Sequence, residues 1–141
     1  MSRVFAIDYG TKRTGTAISD ETETLARPVA AVEVRGPKQL ANELAELILK
    51  NEASELVLGL PLRLDGRPGE HDAAVQDLAR RLRGRLNLPI HLVDERFTTS
   101  IAERSLLEAG RRGAQKKDLV DCAAATVLLQ SFLDARKRQQ P

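Results

Sequence analysis

Residues 4 to 15 read VFAIDYGTKRTG, and this stretch decides how the chain is organised. Val4, Ala6 and Asp8 share one face of a strand by its period of two, and Phe5, Ile7 and Tyr9 share the other. Both faces are apolar up to Asp8, the pattern of a central strand covered on both sides. Gly10 then opens a turn carrying Thr11, Lys12, Arg13 and Thr14 before a second strand pattern begins. A carboxylate therefore ends a buried strand, facing a loop rich in groups that bind phosphate. Desolvating such an acid is costly unless a cation or several donors compensate it. The plainer alternative is a turn aspartate that caps Gly10 and Thr11.

Outward from that strand, Arg13 to Ser19 and Arg27 to Val34 predict two more strands, and the short links between them imply an antiparallel meander. Gly36-Pro37 stops the sheet and starts a helix with Leu40, Leu44, Leu47 and Ile48 at helical spacing. Glu55 to Leu60 is a short apolar run of the kind that forms a buried parallel strand. The polar loop Arg63 to Glu70 follows, then a helix over His71 to Leu86 with Ala74, Leu78, Leu82 and Leu86 on one stripe. Ile90 to Val93 predicts a fifth strand, Thr98 to Ala109 a third helix, and Asp118 to Ala135 a long last one. Right-handed crossovers place the strand of residues 55 to 60 beside the first and that of residues 90 to 93 beyond it. The expected fold is α/β: a five-stranded mixed sheet, three strands antiparallel and two parallel, with helices on both faces. Ligands of such sheets collect at the carboxyl ends of the parallel strands, the edge to which Asp8, the loop after Pro61 and Glu95 are assigned.

The length, 141 residues, suits a single domain over residues 1 to 141, with residues 136 to 141 a frayed tail. Only 3% of residues are aromatic, so the core must be aliphatic. The net charge of +2 identifies no partner class by itself, but the basic residues come in runs: Lys12 and Arg13; Arg80, Arg81, Arg83 and Arg85; Arg111, Arg112, Lys116 and Lys117; Arg136 to Arg138. Such runs make either a polyanion-binding surface or solvated helix faces. Cys122 is the single cysteine, read as core packing, and the absence of a secretory signal makes the reducing cytoplasm the default compartment. No apolar run has the length of a membrane span. His71 and His91 stand alone in sequence, without metal-type spacing.

In the last helix Asp121 shares a stripe with Ala125, Leu128 and Phe132, so it should face the sheet, and Ala123, Ala124 and Ala125 permit close approach. Asp8, Asp94 or Glu95, and Asp118 or Asp121 could then converge. The alternative is that Asp94 orients its strand end or pairs with Arg96 and that Asp118 caps its helix. Carboxylates that close repel one another unless a cation intervenes, and an all-oxygen donor set without His or Cys suits Mg²⁺ or Mn²⁺. A pair of such ions is the apparatus of two-metal phosphodiester hydrolysis.

Four motifs in order, AIDYGTKRTGTAISD at 6 to 20, LVLGLPLRLDG at 56 to 66, DERFTT at 94 to 99 and DLVDCAAATVLLQ at 118 to 130, cover nearly the whole chain. In these the chain resembles the YqgF-type pre-16S rRNA nucleases, relatives of the Holliday-junction resolvases within the ribonuclease H-like fold. The resemblance implies an acidic triad of Asp8, Glu95 and Asp121 holding Mg²⁺ or Mn²⁺, with two ions expected. It also implies in-line attack by an activated water on a backbone phosphorus, leaving a 3′-hydroxyl and a 5′-phosphate. Lys12, Arg13, Arg63, Arg111, Arg112, Lys116 and Lys117 are the expected contacts to nucleic acid. Arg63-Leu64 departs from the family's usual Asn-Met. The implied substrates are the 5′ end of precursor 16S rRNA, in ribosome biogenesis, or a four-way DNA junction, whose symmetrical cutting would require a homodimer. Two rivals remain: a binding module of the same fold without chemistry, and half of an ATP-dependent phosphotransferase, which the lack of a duplicated domain disfavours.

Overall fold

The computed structural model describes residues 2–60, 69–94 and 122–139. Among them, β1 (Val4–Asp8), β2 (Arg13–Ser19), β3 (Ala26–Glu33), β4 (Glu55–Leu60) and β5 (Ile90–Asp94) form one sheet in the order β3-β2-β1-β4-β5. The β1–β2 and β2–β3 pairs are antiparallel, while β1–β4 and β4–β5 are parallel, as the lengths of the connections require. Three described helices flank it: α1 (Pro37–Lys50), α2 (Asp72–Arg85) and α3 (Ala123–Gln139). The helix expected over Thr98 to Ala109 and the loop over 111 to 117 lie outside the described residues.

β1 splits the core in two, as its alternation demands. On one face Phe5 and Ile7, with Ile18, Leu56 and Leu58, pack against Leu40, Leu44 and Ile48 of α1 and Val75, Leu78 and Leu82 of α2. On the other, Val4, Ala6, Ala17 and Val57 meet Ala125, Leu128, Leu129 and Leu133 of α3. The second face is poor in bulk, and its alanines let α3 lie close to the sheet. Removing a fully buried leucine such as Leu44 or Leu129 should cost about 2–5 kcal/mol.

Local chemistry fixes the connections. The Gln39 side chain accepts hydrogen bonds from the N–H groups of Arg35 (2.7 Å) and Gly36 (3.2 Å), and Pro37 opens α1 where no donor is needed. In the β2–β3 turn the Asp20 carboxylate accepts from Thr24 N (2.8 Å), Leu25 N (3.2 Å) and the Thr22 hydroxyl (2.9 Å). Chiefly the Thr24 N–H holds this carboxyl below its ordinary range. Where the β2–β3 register shifts between Gly15 and Ala17, the buried Thr16 hydroxyl donates to Ala30 O and accepts from Ala30 N (3.0 Å), replacing the lost ladder bonds.

Two boundaries differ from the sequence reading. Cys122 is buried as expected but sits in the turn before α3, where its carbonyl accepts from Thr126 N (3.0 Å) and the Thr126 hydroxyl (2.8 Å). Nor does the chain fray from residue 136: α3 stays helical through Gln139. The reason is Arg136, whose guanidinium donates to Glu23 Oε1 (2.9 Å) and Glu55 Oε1 (3.0 Å) and lies 4.5 Å from the Phe132 ring centre. That anchor fastens the last turns of α3 to the start of β4 and to the β2–β3 turn.

Candidate active site

The direction of α3 locates the site. Gln130 bonds Ala26 N (2.9 Å) and Thr24 O (2.9 Å), and Arg136 meets Glu55, so the end of α3 lies at the amino edge of β1 and β4. Thirteen residues earlier, its first turn stands roughly 20 Å back along the sheet, at the carboxyl edge. Asp8 ends β1 at that same edge, on the Val4–Ala6 face that α3 covers. β5 stops there as well, at Asp94, level with Leu60. Glu95 directly follows Asp94 in sequence, and only Cys122 lies between Asp121 and the first residue of α3. Glu95 and Asp121 themselves lie outside the described residues, as do Asp118, Arg63, Arg111, Arg112, Lys116 and Lys117.

Asp8 is partly buried, and no described side chain bonds or pairs with its carboxylate. Its neighbours in the sheet give it room. Across β2 it pairs with Gly15, and one step beyond the Ile7–Leu58 pair on β4 stands Gly59. Residues paired side by side in a sheet project to the same face, so a side chain at either glycine would stand beside the carboxylate. The loop that follows is tight: a Cβ on Gly10 would come within 2.1 Å of Arg13 O, which only glycine avoids. The Val34 N–H bonds Lys12 O (2.9 Å), and Lys12 and Arg13 are exposed. Lys12 has no ion-pair partner among the described residues.

An acceptor set of carboxylate oxygens beside two glycines, with neither thiol nor imidazole at Asp8, has the chemistry of a hard divalent cation's site. Among the described residues no group of three acidic, His or Cys side chains is placed to hold a metal ion.

The remaining basic runs divide. Asp77 takes Arg80 (3.0 Å) and Arg81 (2.8 Å), which hold its carboxyl below the usual range, Arg81 most strongly. Arg83 and Arg85 are exposed near the end of α2. Arg136 belongs to the anchor described above, while Lys137 donates to the Thr24 hydroxyl (3.1 Å) and Arg138 is exposed. Sequence reasoning also missed what the histidines touch. His91 contacts Glu55 and lies 5.3 Å from Phe132, and His71 lies 6.0 Å from the Tyr9 ring. Only the folded chain brings these together.

Residues 2–135 match the family model of RuvX, described as a Holliday junction resolvase. The chain belongs to the RuvX family. As a member it is a nuclease, a hydrolase of phosphodiester bonds in nucleic acid. RuvX-type relatives include a protein of Dictyoglomus turgidum, 41% identical over 133 residues covering 94% of each chain, and one of Bacteroides thetaiotaomicron, 36% identical over 140 residues covering 97% of this chain and 99% of the other. Both are named, provisionally, as pre-16S rRNA nucleases. The fold is shared with Thermus thermophilus RuvC, solved in complex with a Holliday junction substrate, at a TM-score of 0.64 and 13% identity over 99% of this chain and 98% of that one. The resolvase of Fowlpox virus, solved with Holliday junction DNA, aligns at a TM-score of 0.60 and 14% identity over 95% and 98%. The ribonuclease H-like architecture implied by the resemblance to the YqgF-type nucleases is thus the one observed. Among the described residues no helix is long and apolar enough to cross a membrane.

Proposed function

We propose that this RuvX protein is a divalent-metal-dependent endonuclease of structured nucleic acid, with precursor 16S rRNA, cut at its 5′ end in the cytoplasm, as its substrate. Asp8, Glu95 and Asp121 hold one or two Mg²⁺ or Mn²⁺ ions, which when bound supply charge neutralisation and activate water. The carrying observation is Asp8: a carboxylate without a described partner, flanked by Gly15 and Gly59, at the edge where β5 ends and α3 begins. Its task is to fix the cation opposite the phosphate, from the end of a strand paired on both sides, to β2 and to β4. Lys12 and Arg13 neutralise non-bridging or neighbouring phosphate oxygens, while Arg63, Arg111, Arg112, Lys116 and Lys117 hold the flanking strand and position it without reading sequence.

A four-way DNA junction is the second reading, favoured by the RuvX family description and by the fold shared with two proteins solved on such junctions. It requires two copies related by a two-fold axis, one site for each strand cut.

The test is a side-by-side cleavage assay of a precursor 16S rRNA 5′ segment and a four-way junction, in Mg²⁺ and in Mn²⁺, with wild type and Asp8→Asn and with product ends mapped. Wild-type cleavage of the RNA to 5′-phosphate ends, lost in Asp8→Asn, is the expected result. Symmetrical cutting of the junction alone would transfer the assignment to the second reading. No cleavage of either substrate in either metal would leave a binding module.

A further inference from the structure

Tyr9 follows Asp8 directly but turns to the opposite face of β1, packing against the α1–α2 side of the core. There it lines a cavity of about 250 Å³ with Val34, Pro37 and Leu40 at one wall and Ala74, Asp77 and Leu78 of α2 at the other. The nuclease site uses none of these walls. Pockets for drug-sized ligands start at roughly 300 Å³, so this one suits a single planar ring system. The Tyr9 hydroxyl has no hydrogen-bond partner among the described residues, and His71 sets its ring 6.0 Å from that of Tyr9, tilted by 58°. The polar side chain on the α2 wall is Asp77, whose Oδ1 accepts from Arg80 and Oδ2 from Arg81, each carboxylate oxygen keeping a further lone pair to accept with.

We infer that this cleft receives one unstacked guanine from the strand whose phosphate lies at Asp8. The inference rests on the nuclease reading for its phosphate and supplies what that reading lacks, a determinant of sequence. A single base inserted between apolar walls leaves its polar edge to be satisfied. Among the four bases guanine alone presents two adjacent donors, N1–H and the N2 amine, on its Watson–Crick edge, and a carboxylate offers two adjacent acceptors to match. Uracil places carbonyls on both sides of its one donor, and these would oppose the Asp77 oxygens. The strand continuing past Asp8 crosses the edge of β1 to reach Tyr9, so the base belongs to a nucleotide flanking the cut.

The test measures binding in EDTA, where cleavage cannot contribute, using fluorescently labelled single-stranded RNA hexamers: a uridine hexamer, the same with one guanosine, and the same with inosine, which lacks the N2 amine. Guanosine should improve affinity by roughly tenfold over uridine, the scale of one stacked and bonded base, with inosine between them. Asp77→Asn should erase the preference. So should Ala74→Leu, which fills the cleft and leaves the Asp77 ion pairs untouched, with circular dichroism and melting establishing that both variants fold. A preference that survives Ala74→Leu, or no preference in the wild type, overturns the inference while leaving the nuclease assignment standing. Asp8→Asn separates the two. It should keep the guanine preference and lose cleavage, and normal cleavage by that variant would remove the nuclease site whatever the hexamers show.

Discussion

Among the described residues, Arg136 at one edge of the sheet and Asp8 at the other are treated in opposite ways. At the amino edge Arg136 is held by Glu55 and Glu23, Glu55 also meets His91, Glu23 also takes the Ser2 hydroxyl, and Phe132 lies under the guanidinium. Each charge of this cluster is answered by another side chain. At the carboxyl edge Asp8 has no described partner, and Lys12 projects to solvent without one. A partly buried carboxylate without a partner costs free energy, which makes Asp8 the group at this edge that a cation would relieve. The amino-edge cluster fastens α3 to the sheet, and the carboxyl edge is where the proposed site would take its cation and phosphate.

The sharpest way to break this contrast is to neutralise one residue on each side. Asp8→Asn should lower metal-dependent cleavage by more than about 100-fold, since even groups that only support a ligand cost 10- to 100-fold when removed. Its melting temperature should not fall, because no described contact is lost. Gly59→Val, which would set a side chain beside the carboxylate, should act in the same direction by weakening metal binding, read as a higher Mn²⁺ concentration for half-maximal cleavage. Arg136→Ala should do the reverse. Leaving Glu55 and Glu23 without their shared donor should cost about 2–3 kcal/mol, roughly 6–12 °C in melting temperature, with cleavage per folded molecule unchanged. A stable Arg136→Ala protein with impaired cleavage would erase the distinction between the edges.

Acid separates the edges again. The Arg136 hydrogen bond, more than the contact from His91, holds the Glu55 carboxyl below its ordinary value. A carboxylate whose folded value is depressed favours folding fully above its unfolded value, about 4.3, and loses that contribution as pH falls through the lower folded value. Wild-type stability should therefore decline below about pH 4.3 more steeply than that of Glu55→Gln. Parallel acid denaturation profiles for the two proteins would show that the ion pair contributes nothing to the pH dependence.

The contrast also explains what could be read beforehand. The alternation in VFAID fixed a central strand, the connection lengths fixed which pairs are parallel, and together they carried Asp8 to the correct edge. These are local patterns, complete within a few residues. The anchor was invisible because Arg136 is 81 residues from Glu55 and 113 from Glu23, and a basic run looks the same whether it is solvated or paired. The cleft was invisible for a similar reason, since Tyr9, Pro37 and Asp77 become neighbours only when α1 and α2 pack against β1. Gly15 and Gly59 were legible as residues, but their meaning depends on register with Asp8.

The smallest expected effect asks whether basic residues bind nucleic acid by composition or by position. Each phosphate neutralised releases counterions, so the dependence of log affinity on log salt loses about 0.7–0.9 of slope for every contact removed. Lys12 projects from the turn after Asp8, and Lys116 and Lys117 belong to the run assigned to the flanking strand. Arg83 and Arg85 carry the same charge, but they close α2 and precede β5, which places them at the amino edge. If position governs, neutralising Lys116 and Lys117 together should flatten the slope by nearly two units, and Lys12→Ala by nearly one. Arg83→Ala with Arg85→Ala should leave it as it was. A general attraction between a basic protein and a polyanion would instead make the two double variants equivalent, because each removes two charges from the same molecule. A slope that falls with Lys12→Ala and holds with the Arg83 and Arg85 pair assigns the nucleic acid to the carboxyl edge, independently of any cleavage assay.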